Sequence, residues 1–219
     1  MELLTKLGEP NFPRIKIIIF DIDGTLLNTD ELYFQLLKSE LKKYNISLTE
    51  AQYGTFGLDD AVFHVGLDSS AVQKVRDRVL RSYYNDQIVK KLRFKKGAYK
   101  IIHELSKSYQ LAIGSGERMD QIKRYLNHKN LWEYFKFIGH GGLVLGRKSN
   151  PQYFYTIARF FKAKPEECLM VGDSIYDTSA LEAGCRVIII QSKFTKYCTF
   201  NNKCLILDDL EELRKILKR

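Results

Sequence analysis

Two aspartates one residue apart, Asp21 and Asp23, stand at the end of the apolar run Ile17-Ile18-Ile19-Phe20 and are followed at once by Gly24 and Thr25. On a continuing strand their side chains would point to opposite faces, so the Gly-Thr turn predicts that the chain curls and brings both acids around one pocket. Acids crowded in this way need a cation or a shared proton. Three later stretches carry residue types that would use them. Leu111-Ala112-Ile113-Gly114 leads into Ser115-Gly116, Lys148 precedes Pro151, and Leu169-Met170-Val171-Gly172 leads into Asp173 with Asp177 four residues on. Together they form a set suited to phosphate and a divalent metal. Mg²⁺ takes carboxylate, phosphate and water oxygens, which Asp21 and Asp173 could supply. A transferring phosphoryl group needs its charge neutralised, which Lys148, Ser115 and backbone N–H groups would do. A carboxylate can be the nucleophile, forming an aspartyl phosphate that water then hydrolyses.

Hydrophobic periodicity indicates the strands and helices that carry these groups. Ile17 to Phe20 reads as a buried strand, and strands are also expected at Leu111–Gly114, Lys136–Ile138, Leu169–Gly172, Val187–Ile190 and Cys204–Leu207. Helical patterns cover Tyr99–Lys107, Glu117–His128, Pro151–Phe161, Tyr176–Ala183 and Leu210–Leu217. Strand and helix alternate regularly after residue 97, which implies an α/β fold with a Rossmann-like, doubly wound parallel sheet. Asn28 to Arg93 is different: helical stripes, with no convincing strand. Thr29 or Asn28 is placed to cap the first of these helices, and Ser47-Leu48-Thr49-Glu50 has capping-box spacing for a second. The expected organisation is a core domain of residues 1–27 plus 94–219, interrupted by a helical cap domain of residues 28–93. Met1 to Pro13 is a short lead-in without pattern.

Composition narrows the function classes. The 219 residues are 45% hydrophobic and 28% charged, ordinary for a folded soluble chain. No apolar run approaches the length of a membrane span and no signal-peptide pattern is present, so a cytoplasmic protein without a membrane partner is expected. The formal charge of +9 invites a nucleic-acid reading. Its distribution argues against one, because Lys and Arg are interspersed with Asp and Glu and the densest group, Lys90 to Lys96, lacks interleaved stacking aromatics. Attraction of a small anionic substrate fits better, and a merely solvated basic surface fits better still. The four cysteines form no Cys-x-x-Cys pair and read as reduced structural thiols.

Other motif readings fail on spacing. A calcium loop at Asp21 would need glycine where Leu26 stands and glutamate where Leu32 stands. Gly141 to Ser149 imitates a P-loop but carries one residue too many before Lys148. The four histidines are scattered and read as surface or supporting residues rather than ligands, with His64 in the irregular part of the helical block the one to test for substrate contact.

Asp21-Ile22-Asp23-Gly24-Thr25, then Ser115, Lys148 and Gly172-Asp173 with Asp177, resemble in order the four motifs of the haloacid dehalogenase-like superfamily. The resemblance spans about residues 15 to 190, and the insertion after the first motif is similar to the helical cap of its phosphoglycolate phosphatase and β-phosphoglucomutase branch. It implies that Asp21 is the nucleophile and a metal ligand. Asp23 would protonate the leaving group, activate water and offer its carbonyl to Mg²⁺, with Thr25 orienting it beside the phosphate. Ser115 and Gly116 would bind the phosphoryl group, Lys148 would neutralise it, Asp173 would complete the metal shell, and Asp177 would support that shell or hold Lys148. The pair Asp21/Asp23 points to phosphoryl chemistry rather than dehalogenation. Gly172 before Asp173 resembles the phosphatases, whereas the similar mutases usually carry Glu there. The expected function is a Mg²⁺-dependent phosphatase acting on a small phosphorylated metabolite as monomer or homodimer, with a sugar phosphomutase as the alternative.

Overall fold

The computed structural model describes residues 15–142 and 148–217, and for residues 56–59 the helical backbone alone. The lead-in and residues 143–147 of the P-loop imitation lie outside the described residues.

Six parallel strands, β1 (Ile17–Phe20), β2 (Gln110–Gly114), β3 (Phe135–Gly139), β4 (Cys168–Gly172), β5 (Arg186–Ile190) and β6 (Leu205–Leu207), make one sheet in the order β3-β2-β1-β4-β5-β6. β1 is buried along its whole length, as an unbroken apolar run must be when both sheet faces are covered. Its alternate residues divide between two cores. Ile18 and Phe20 pack on one side with Leu111, Ile113 and Val171; Ile17 and Ile19 pack on the other with Ala112, Met170 and Ile189.

Five helices lie between β1 and β2: α1 (Asp30–Lys42), α2 (Glu50–Asp60), α3 (Ser69–Tyr83), α4 (Asp86–Lys91) and α5 (Ala98–Leu105). The rest are α6 (Met119–His128), α7 (Pro151–Phe160), α8 (Ser179–Glu182) and α9 (Leu213–Leu217). The stripe Val72, Val75, Val79 and Tyr83 is buried on α3 and joins the same core as Ile18 and Phe20. The chain enters and leaves the first four helices side by side. Asn28 N–H donates to the Arg93 carbonyl at 2.9 Å and Lys95 N–H to the Leu26 carbonyl at 2.8 Å, around a bridge between Leu27 and Phe94. A second contact comes from the segment after β5, where Phe194 packs on Phe34 and Tyr53 and Lys193 pairs with Glu31 and Glu50.

Several local expectations are corrected by what the side chains do. Thr29 does not cap α1 with its side chain; its hydroxyl is drawn inward and accepts the Gly24 N–H at 3.0 Å. The capping box before α2 is Thr49 with Gln52, two residues beyond the expected Ser47 and Glu50, because these side chains accept each other's backbone N–H groups. The expected helix over Tyr176–Ala183 is a 3₁₀ turn, Ile175–Thr178, followed by one turn of α8. α6 starts at Met119 rather than Glu117, since the Glu117 side chain accepts the Arg118 N–H at the turn.

Candidate active site

The strand order puts β1 between β2 and β4, where the connections reverse direction, and open parallel sheets bind ligands beyond the strand ends at such a point. Phe20 is in register with Ile113 on one side and Val171 on the other, so Asp21, Ser115 and Asp173 emerge at neighbouring tips. Asp21 N–H still donates to the Val171 carbonyl at 2.9 Å, and its carboxylate accepts the Ile22 N–H at 2.8 Å. The chain then turns, with Leu26 and Leu27 N–H groups both donating to the Ile22 carbonyl.

Gly24 holds a positive φ of 71° at this turn. A Cβ there would overlap Asp173 Oδ2 and Asp30 Oδ1, so the glycine lets two further acids approach the loop. Asp30, on the first turn of α1, was not a candidate from sequence. It reads there as a helix N-terminal acid, and only folding brings it beside Asp173.

Lys148 crosses to this cluster from the turn before α7. Its ammonium lies 2.6 Å from Asp21 Oδ2 and 2.9 Å from Asp177 Oδ1. Exposure is 9% for Lys148, 5% for Asp21 and 0% for Asp177, so these charges face one another out of bulk water. Two neighbours fix the lysine. Ser179 hydroxyl donates to the Lys148 carbonyl at 2.6 Å, and Asn150 accepts the Gln152 N–H at the start of α7, where Pro151 occupies the first turn. The other oxygen of Asp177 accepts the N–H groups of Asp173 and Ser174 and the Ser174 hydroxyl. Of the two duties expected of Asp177, holding Lys148 is the one seen.

Thr25 is corrected in its orienting role. Its hydroxyl donates to Asp173 Oδ1 at 2.8 Å rather than to Asp23. Asp23 Oδ1 instead accepts the Tyr83 hydroxyl at 2.7 Å, from the end of α3. Ser115 is buried, and its hydroxyl accepts the Glu117 N–H at 3.0 Å. Gly116 follows at the tip, in a turn steadied by Gly141 N–H donating to the Glu117 carbonyl at 2.8 Å and by Tyr153 hydroxyl donating to the Ser115 carbonyl at 3.1 Å. Glu117 itself is buried and accepts the Tyr84 hydroxyl at 2.7 Å. His64 lies on a 3₁₀ turn after α2, and the other histidines lie elsewhere.

The electrostatics follow from burial. Burial pushes the Asp21 carboxyl up to about 7, against the opposing pull of Lys148 and with Asp177 adding to the rise. Burial likewise raises Asp173 well above the carboxylate range, helped by Asp30, Asp21 and Asp177. Burial and the nearby Asp23 push Glu117 up to about 7. For Lys148, burial disfavours the charge, but Asp177 and Asp21 outweigh it and hold the ammonium protonated. The pocket therefore has more carboxylate than its lysine compensates, which is the condition a divalent cation relieves.

The donor chemistry fits Mg²⁺. Asp21, Asp173 and Asp177 can each bring one oxygen within 4.8 Å of the others. Asp177 gives one oxygen to Lys148 and the other to three donors, whereas Asp21 meets Lys148 and one backbone N–H and Asp173 accepts the Thr25 hydroxyl, so Asp21 and Asp173 keep the greater capacity for a hard cation.

Gly172 has a steric duty here. A Cβ at this position would overlap the Asp177 carboxyl. Gly172→Ala should therefore displace Asp177 and loosen Lys148, costing about 1–3 kcal/mol of stability as overpacking does. Thermal unfolding of the variant checks this, and an unchanged midpoint would mean that Asp177 can move freely.

Comparisons with known proteins bear on the family and the fold. The family profile described as haloacid dehalogenase-like hydrolase matches residues 18–190. The chain is 25% identical over 221 aligned residues to the pyrophosphatase PpaX of Bacillus mycoides strain KBAB4, covering 94% of this chain and 98% of that one. Its fold is similar to the crystal structure of a predicted phosphoglycolate phosphatase from Haemophilus somnus 129pt, with a TM-score of 0.71 at 21% identity over 93% of this chain and 98% of the other. It is also similar to a haloacid dehalogenase-like family hydrolase from Streptococcus pneumoniae, with a TM-score of 0.73 at 19% identity over 92% and 98%.

Proposed function

The chain belongs to the haloacid dehalogenase-like hydrolase family, and from that premise we propose that it is a Mg²⁺-dependent phosphatase of small phosphorylated metabolites working through a phosphoenzyme on Asp21. The observation that carries the proposal is the buried Asp21–Lys148–Asp177 arrangement beside Asp173 at the switch point of the sheet.

Asp21 and Asp173, with the Asp23 carbonyl, would hold Mg²⁺. Bound there, the ion would offset the negative charge of the phosphate and of the clustered acids. A carboxylate oxygen of Asp21 forms the new P–O bond while the P–O bond to the leaving group breaks. The departing oxygen takes the proton carried by Asp23. Water then attacks phosphorus and gives a proton to Asp23, while the bond to Asp21 breaks and regenerates the free carboxylate. Ser115 and the Gly116 amide would bind phosphoryl oxygens, with Thr25 at the edge of the same pocket, and Lys148 neutralises charge between them and Asp21.

Residues 28–93 are, in this reading, a cap that covers the pocket and shields it from water. A mutase reading finds less support, since the space over Gly172 that a glutamate would need is filled by Asp177. The relatives' names supply two phosphorus linkages to try, an anhydride in pyrophosphate and an ester in phosphoglycolate. The test is phosphate release from a panel of p-nitrophenyl phosphate, phosphoglycolate, hexose phosphates, nucleotides and inorganic pyrophosphate, with Mg²⁺ or with a chelator. Release that needs Mg²⁺ is expected from at least one compound. No release above the enzyme-free control from any of them would end the proposal.

A further inference from the structure

α3 ends in two consecutive tyrosines, and each reaches an acid on the sheet domain. Tyr83 hydroxyl donates to Asp23 Oδ1 at 2.7 Å, and Tyr84 hydroxyl donates to Glu117 Oε1 at 2.7 Å. The first contact crosses from the helical block to the side chain proposed to carry the proton. Tyr83 is fully buried, stacks on Tyr33 with centroids 3.9 Å apart, and closes the apolar stripe of a 15-residue helix whose N-terminus Asp68 caps. Its hydroxyl is therefore held by packing that has no connection with the acid it meets. Burial and Asp23 also keep that hydroxyl far from ionising, so it remains a donor.

We propose that Tyr83 is a positioning residue for the acid and base Asp23, so that the proton-transfer group is completed only when the helical block covers the pocket. The inference rests on the phosphatase reading above. The physical reason is that a carboxyl has two oxygens and the Tyr83 hydroxyl engages one of them. With Oδ1 accepting from Tyr83, a proton on Asp23 is directed to Oδ2, which in this reading is the oxygen that serves the leaving group or the attacking water. The Thr29 side chain also hydrogen-bonds this carboxyl, so removing the Tyr83 donor leaves Asp23 with one side-chain donor in place of two and loosens the choice of oxygen that carries its proton. Tyr83 moves no proton itself. The bonds made and broken are those already given for Asp21 and Asp23.

The requirement for this acid depends on the leaving group. An alkoxide cannot depart from phosphorus without a proton, whereas p-nitrophenolate can. The measurement is kcat/KM, which reports steps up to departure of the alcohol, for p-nitrophenyl phosphate and for a primary alkyl phosphate hydrolysed by the intact chain. Tyr83→Phe keeps the ring and its stack on Tyr33. It is expected to lose about ten-fold or more with the alkyl ester and to stay within about two-fold with the aryl ester. Tyr84→Phe loosens the same helix end without touching Asp23, and is expected to move both esters together.

A Tyr83→Phe variant that loses equally on both esters, or on neither, overturns the positioning role and leaves the phosphatase reading intact. A wild-type chain that hydrolyses no phosphate compound overturns both. Should Tyr83→Phe prove unstable, Tyr83→His, which can still present a donor, is expected to recover the alkyl ester in preference to the aryl one. Equal recovery of the two would count against the proposal.

Discussion

Asp21→Asn is expected to abolish turnover while leaving the protein folded. Asn has nearly the same volume and still accepts the Ile22 N–H, so the turn after β1 keeps its hydrogen bond. What it lacks is a carboxylate to attack phosphorus, and loss of a covalent nucleophile costs roughly 10³-fold or more in kcat. The substitution also removes one of the crowded acids, so folding should tolerate it. Steady-state phosphate release and circular dichroism on the same preparation check both halves. Mg²⁺-dependent turnover persisting in this variant at the wild-type rate would rule out the phosphoenzyme.

Lys148→Met is expected to damage stability and turnover together. The ammonium lies between Asp21 and Asp177 with almost no exposure, and breaking a buried pair by deleting one partner costs about 3–5 kcal/mol because the remaining charge stays behind. Turnover should fall by about 10²–10³-fold through loss of a group that neutralises the phosphoryl transition state. The pH dependence identifies the cause. Even with Lys148 present, burial holds the folded Asp21 carboxyl up at about 7. The unfolded carboxyl titrates at about 4. Between those values the folded state binds a proton that the unfolded state releases, so this group's contribution is complete below about 4 and is lost as pH rises through 7. Without the lysine the carboxyl rises further and the loss grows. The deficit in melting temperature against wild type should therefore be larger at pH 8 than at pH 5, and Mg²⁺ should recover part of it. Equal deficits at the two pH values would show that the lysine acts through packing alone.

Much of this site can be read along the chain because several of its groups directly follow a strand. Asp21, Ser115 and Asp173 each follow an unbroken apolar run, and such runs become adjacent parallel strands with little alternative. Lys148 is legible from its place before Pro151. The opposite held for Asp30, Glu117, Tyr83 and Tyr84. Asp30 looks like a helix-dipole acid and Tyr83 like a core position on a helical stripe, and both descriptions are true. Their second roles depend on contacts tens of residues distant, such as the 60 residues between Tyr83 and Asp23. Thr29 and Thr25 show the same limit on a shorter scale. A hydroxyl near a helix start or an acid has several partners in reach, and burial selects among them.

Legible along the chain are the alternating strands and helices, the run of helices between β1 and β2, the acids that follow the strands and the lysine before α7. These depend on local periodicity and on chain order. How the charges are shared emerges on folding: Asp177 with Lys148, Thr25 with Asp173, Asp23 with Tyr83. The physical reason is that a buried polar group must find a partner, and which partner lies within 3 Å is fixed by the packing of whole elements rather than by the residues on either side.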